Sequence, residues 1–165
     1  MIKHIGGNMR KIGIILFITI LTMGCSKAAP PLQDDYSFQF NQQTMVVGED
    51  VKTILSQLGN PKDQYSSPSC VFEGEDTVYD YGNFQLTTYL TQGKEVLTGI
   101  YFNDDTIATK EGVRIGFTKQ AMIDTYGNDY QEEYGAYTYN KGLTDLSFVI
   151  VNDIIISIAY LHIVD

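Results

Sequence analysis

Met45-Val-Val-Gly-Glu-Asp-Val-Lys-Thr-Ile-Leu-Ser-Gln-Leu-Gly-Asn60 is echoed 68 residues later by Val113-Arg-Ile-Gly-Phe-Thr-Lys-Gln-Ala-Met-Ile-Asp-Thr-Tyr-Gly-Asn128. Apolar residues meet apolar residues, and Gly48 and Gly59 meet Gly116 and Gly127. In each stretch the first apolar residues alternate, as one face of a short strand does. Val51, Ile54, Leu55 and Leu58 then follow at i, i+3, i+4 and i+7, one face of a helix. Asp50 and Thr118 stand where a helix N-cap belongs, and Gly59 and Gly127 where a left-handed stop belongs. Phe117 and Met122 are spaced for a hydrophobic staple around the second cap. Leu55 and Ile123 are expected to be buried equivalents.

A second set of matches follows at an offset of 58. Tyr79 and Tyr81 meet Tyr137 and Tyr139. Thr88 and Leu90 meet Leu146 and Phe148. Val96, Thr98 and Ile100 meet Ile154, Ile156 and Ile158. The change of offset places ten extra residues between Asn60 and Tyr79 of the first copy. Gln92-Gly93-Lys94 and Asn152-Asp153 are hairpin turns. The sequence therefore predicts an α+β fold of two tandem repeats, residues 36–103 and 104–165. Each repeat reads as a strand, a helix and a three-stranded antiparallel meander.

The stretch Ile/Val-Gly-x-Thr/Asp-x₇-Leu/Tyr-Gly-Asn, present twice, resembles the beta-lactamase inhibitory protein-like superfamily. It is also similar to small cell-envelope lipoproteins of the outer-membrane-assembly type, which share a related single module. The first resemblance implies a broad sheet surface offered to a protein partner. It implies no active residues, and nothing in it names a beta-lactamase as that partner.

Ahead of the repeats lie Lys3, Arg10 and Lys11, then the uncharged run Ile12 to Met23. Twelve residues are too few to cross a bilayer as a helix, which takes roughly 20. The length suits the apolar core of a secretory signal. Leu21-Thr-Met-Gly-Cys25 resembles the processing site of bacterial lipoproteins, which implies a signal peptide over residues 1–24 and lipid on Cys25. Plain secretion with Cys25 free or paired is the alternative. Residues 25–35, with two prolines and two adjacent acids, read as a flexible tether. The expected location is the outer face of the cell membrane, held there by the N-terminal lipid.

The full chain of 165 residues carries a net charge of −9, with 20 Asp+Glu against 11 Lys+Arg. Cleavage after Gly24 leaves 141 residues and a net charge of −12. Such a balance disfavours nucleic acid and anionic lipid as partners, since both are polyanions. Two Cys and two His are too few for a Cys/His zinc or iron–sulfur centre. Glu73-Gly-Glu-Asp76, Asn103-Asp-Asp105 and Glu132-Glu133 lack the spacing of a calcium loop, so no metal or cofactor is expected. His162 has no nucleophile at a catalytic spacing. Cys70 sits beside Val71 and Phe72 as a small buried hydrophobe does; an intermolecular bridge or a reactive thiol is the alternative, and the adjacent acids oppose thiolate formation.

The tyrosines number 12, and Trp is absent. Alternation places Tyr79 with Tyr81, and Tyr137 with Tyr139, on a common side. Tyrosine is enriched at interfaces and is also a good strand former. These four are the candidate interface. The expected function is non-catalytic recognition of a protein or envelope component through an exposed sheet face. A structural role in envelope assembly, without a discrete ligand, is the alternative. An enzyme ranks third, for want of any motif with a mechanism.

Overall fold

The computed structural model describes residues 34–69, 74–91 and 93–163. The expected signal peptide, Cys25 and Cys70 lie outside them. The described chain is mostly antiparallel sheet with two short helices, an α+β architecture. A small hairpin, β1 (Phe38–Phe40) and β2 (Gln43–Met45), precedes α1 (Val51–Leu58). Four strands follow: β3 (Asp63–Pro68), β4 (Glu75–Asp80), β5 (Phe84–Thr91) and β6 (Lys94–Phe102). Then come α2 (Lys119–Tyr126) and four more: β7 (Gln131–Glu133), β8 (Ala136–Lys141), β9 (Thr144–Val151) and β10 (Ile154–His162). The last eight strands form one sheet in the order β3-β4-β5-β6-β10-β9-β8-β7.

Both helices start and stop as their sequences dictate. The Asp50 carboxylate accepts from Lys52 N at 3.0 Å, and Thr118 Oγ1 accepts from Ala121 N at 3.2 Å. At the other ends Gly59 N donates to Leu55 O and Gly127 N to Ile123 O, both glycines at positive φ. Eight-residue helices are marginal alone and depend on the sheet beneath them. Ile54 and Met122 are the fully buried pair, whereas Leu55 and Ile123 are only partly covered. Phe117 is exposed, with the Arg114 guanidinium 5.2 Å from its ring centroid.

Four strands follow each helix, one more than expected. The additional strands, β3 and β7, are exposed along their whole length. Such edge strands carry no alternation of apolar and polar residues to reveal them. The expected leading strands also differ. The first survives as β2, paired with β1, but residues 113–115 form no strand. Instead the segments just before the helices hydrogen-bond to the inner strands. Gly48 N donates to Leu97 O and Leu97 N to Glu49 O. Correspondingly, Gly116 N donates to Ile155 O and Ile155 N to Phe117 O. Those pairs preserve both offsets, 68 before the helices and 58 in the inner strands.

Strands β5 and β9 depart from the expected offset. Phe84 pairs with Phe102 and Leu146 with Tyr160, so Phe84 stands where Leu146 stands, 62 residues on. Asn140, Lys141, Thr144 and Asp145 lengthen the β8–β9 hairpin and account for the difference. The folded unit also begins earlier than expected. Lys141 Nζ pairs with Asp34 at 2.9 Å, and Leu143 N donates to Asp35 at 2.6 Å, so these acids are bound to the fold.

Alternation gives the sheet two unlike faces. Leu86, Leu97, Ile100, Leu146, Phe148 and Ile158 point to one face and are fully buried. The helices and the β1–β2 hairpin cover that face. Phe38 fills its centre, with ring centroids 5.4 Å from Phe84, 5.0 Å from Phe102 and 6.1 Å from Tyr160. Ile54→Ala and Met122→Ala should each lower the unfolding free energy by about 2–5 kcal/mol in urea titrations. Thr53→Ala, on the exposed side of α1, should change it by less than about 0.5 kcal/mol.

Candidate functional site

The four candidate tyrosines lie on the covered side. Tyr79, Tyr137 and Tyr139 are buried, and Tyr81 packs partly buried against the core. Tyr79 pairs across the ladder with Leu86, Tyr137 with Phe148 and Tyr139 with Leu146, all core residues. The common side was read correctly from alternation; that it faces the helices could not be read from it.

Their hydroxyls have structural partners. Tyr81 OH donates to Gly59 O at 3.1 Å and Tyr139 OH to Gly127 O at 2.8 Å, so each helix has its terminal carbonyl satisfied by the same side-chain position. Tyr79 OH donates to Glu95 Oε1 at 2.7 Å, and Thr88 Oγ1 donates to the same oxygen at 2.6 Å. Tyr137 OH instead accepts from Lys119 Nζ at 3.0 Å. Burial, then the Glu95 hydrogen bond and charge, push the Tyr79 phenol well above its ordinary value. Burial pushes Tyr139 up to about 12.

The remaining candidates for chemistry do not converge. His162 lays its ring against Gly48, where a Cβ would stand 2.9 Å from Nε2, and its Nδ1 is buried without a hydrogen-bond partner. Asp104 accepts from Thr106 N at 2.9 Å and from Thr106 Oγ1, which holds its carboxyl below the usual range. That is a local turn. Among the described residues no His, Cys, Asp and Glu gather as a metal site. No helix among them is long and apolar enough to cross a membrane.

The uncovered face carries the residues between the buried ones. Strand pairing sets Tyr65, Val78, Thr87, Tyr101, Ala159, Leu161, Ser147 and Val149 across it. Asp63, Asp76 and Asp80 lie on the β3–β4 side, and Asp145 on the β9 side. At the middle, Tyr101 leans over Gly99, where a Cβ would stand 2.7 Å from the ring and 2.7 Å from Thr87 Oγ1. Tyr65 and Tyr101 remain exposed. Neither belongs to a doubled Tyr-x-Tyr motif, which is why sequence reasoning passed over them; alternation along β6 is the signal that finds Tyr101, whereas Tyr65 lies on β3, which has none. Compared with protein families, curated proteins and solved structures, the chain matches none.

Tyr139→Phe and Tyr81→Phe should each cost about 0.5–1.5 kcal/mol, measured by urea unfolding, through loss of the bond to the helix end. Stability should also fall as pH rises from about 10 towards about 12. Over that interval the unfolded Tyr139 ionises while the folded phenol, at about 12, holds its proton, so the unfolded state is favoured. Chemical unfolding of Tyr139→Phe between pH 9 and 12, roughly spanning the phenol range, should show a shallower loss.

Proposed function

We propose that the chain is a lipid-anchored cell-envelope protein, without catalytic activity, that recognises a protein through the uncovered face of its sheet. The observation that carries this reading is the asymmetry of the sheet. One face is closed by two helices and a hairpin, whereas the other exposes Tyr65, Tyr101, Val151 and Ile154. Exposed apolar side chains gathered on one surface mark interaction sites more often than they occur by chance.

Two tandem copies of a helix-plus-meander unit make up the sheet in this reading. Support comes from the paired hydrogen bonds at offsets 68 and 58, and from the tyrosine-to-glycine bonds that recur at both helix ends. Further support comes from bulges at equivalent places, Thr98 on β6 and Ile156 on β10. The resemblance to the beta-lactamase inhibitory protein-like superfamily remains part of the proposal. So do the signal peptide and lipidation at Cys25, which rest on Gly24-Cys25 after an uncharged run.

Burial of Tyr79, Tyr137 and Tyr139 favours a second reading, a structural envelope-assembly role without a discrete ligand. The paired variant Tyr65→Ser/Tyr101→Ser separates the two. Loss of a partner in pull-downs from envelope extract, with the melting temperature unchanged, supports recognition. Retention of the same bound proteins supports the structural role. Metabolic labelling with a fatty acid should tag the wild-type chain and fail to tag Cys25→Ala; a label that survives the substitution removes the anchor from the proposal.

A further inference from the structure

Nine large hydrophobic residues are exposed among the described residues, and five of them sit at one end of the sheet: Phe117, Tyr134, Val151, Ile154 and Ile156. Val151 and Ile154 are paired at the base of the β9–β10 turn, and Ile156 is the extra residue of the bulge beside them. Phe117 adjoins them, its carbonyl accepting from Ile155 N at 2.8 Å. Tyr134 crowns the β7–β8 turn at the same end, two strands away, or about 10 Å.

The fold does not need these side chains. The backbone position of Phe117 is held in the other half by Glu49, which accepts from Leu97 N as Phe117 accepts from Ile155 N. The bulge position of Ile156 is held there by Thr98. A carboxylate and a hydroxyl thus serve the same geometry. Tyr134 is 99% exposed and sits at φ +49°, in a turn position that asparagine fills more readily. It contributes almost no packing and bears a strained backbone.

We propose that this end of the sheet docks a protein surface with an apolar centre and a basic rim. Glu132 and Glu133 directly precede Tyr134, and Asp153 lies between Val151 and Ile154; two cations share this end, Arg114 over the Phe117 ring and Lys119, whose N donates to Asp153 O. Three acids against two bases leave the frame acidic on balance, and an acidic frame around apolar side chains repels anionic lipid and attracts lysine and arginine. The position of the patch along the sheet agrees. Asp34 and Asp35 are bound at the β8–β9 turn, at the opposite end of β9. The eight residues of β9 span about 26 Å. This part of the argument rests on the proposed lipid anchor, which would hold the β8–β9 end towards the membrane and turn the apolar end away.

The test is photo-cross-linking of the full-length chain in the intact envelope, with benzoylphenylalanine at Ile156 or, separately, at Leu143. The probe at 156 should form an adduct with a protein other than the chain itself, through a peptide of net positive charge. That adduct should fall about fivefold or more in Glu132→Lys/Glu133→Lys, and likewise in Phe117→Glu, with melting temperatures unchanged. Capture of lipid or of a second copy, absence of any protein adduct, or indifference to both variants overturns the proposal. The probe at 143 reports on the anchor separately. Lipid capture there supports it; if lipid is missing at 143 while the protein adduct at 156 persists, the anchor fails and the docking end stands.

Discussion

Strands β6 and β10 meet through only three residue pairs: Gly99 with Leu161, Ile100 with Tyr160, and Tyr101 with Ala159. Everything else in the sheet depends on that seam. Beyond it, the inner strand of each half would leave backbone donors and acceptors without partners. The segments before the helices take them up: residues 48–50 along β6, residues 116–118 along β10. Each segment therefore ends a sheet edge and starts a helix in the same three residues. The position of each helix on the covered face follows from where its own half runs out of sheet partners.

The two halves solve equal problems with unequal chemistry. Tyr79 and Tyr137 occupy matching places, yet one donates to a glutamate and the other accepts from a lysine. A phenol does both, so the site tolerates a partner of either sign. Gly48 is overlain by His162, whereas Gly116 meets nothing within 4 Å. The longer β8–β9 hairpin brings Lys141 and Leu143 to Asp34 and Asp35. Tyr36, edge-on to Tyr126 at 6.0 Å, carries the chain from there towards Phe38 at the centre of the covered face. The N-terminal segment thereby ties the second half to the first.

Much of this was legible in the sequence, and the failures have physical causes. The helix caps at Asp50 and Thr118 and the glycine stops were readable because each is a local backbone requirement. The offset of 58 held for Val96, Thr98 and Ile100 because β6 and β10 correspond position for position, from the segments that precede the helices through the bulges to the seam. It failed for Thr88 and Leu90, since hairpins change length at their tips without disturbing the strands' inner ends. Strands β3 and β7 were missed because water solvates both of their faces. The four tyrosines were assigned to a common side correctly, but alternation is symmetric. Choosing which side meets the helices takes knowledge of what packs there, and a single strand does not contain it.

An open sheet of eight strands has two borders, and both discourage growth. The β3 border carries one large hydrophobic side chain, Tyr65, among polar residues and ends in Pro68, which has no N–H to donate. The β7 border is three residues long, and two of them are glutamates. A strand arriving at either side meets a truncated ladder or adjacent negative charge. Copies crowded together on a surface would therefore remain separate units and not fuse edge to edge into ribbons. Such a chain tolerates high local density with the uncovered face of its sheet still available.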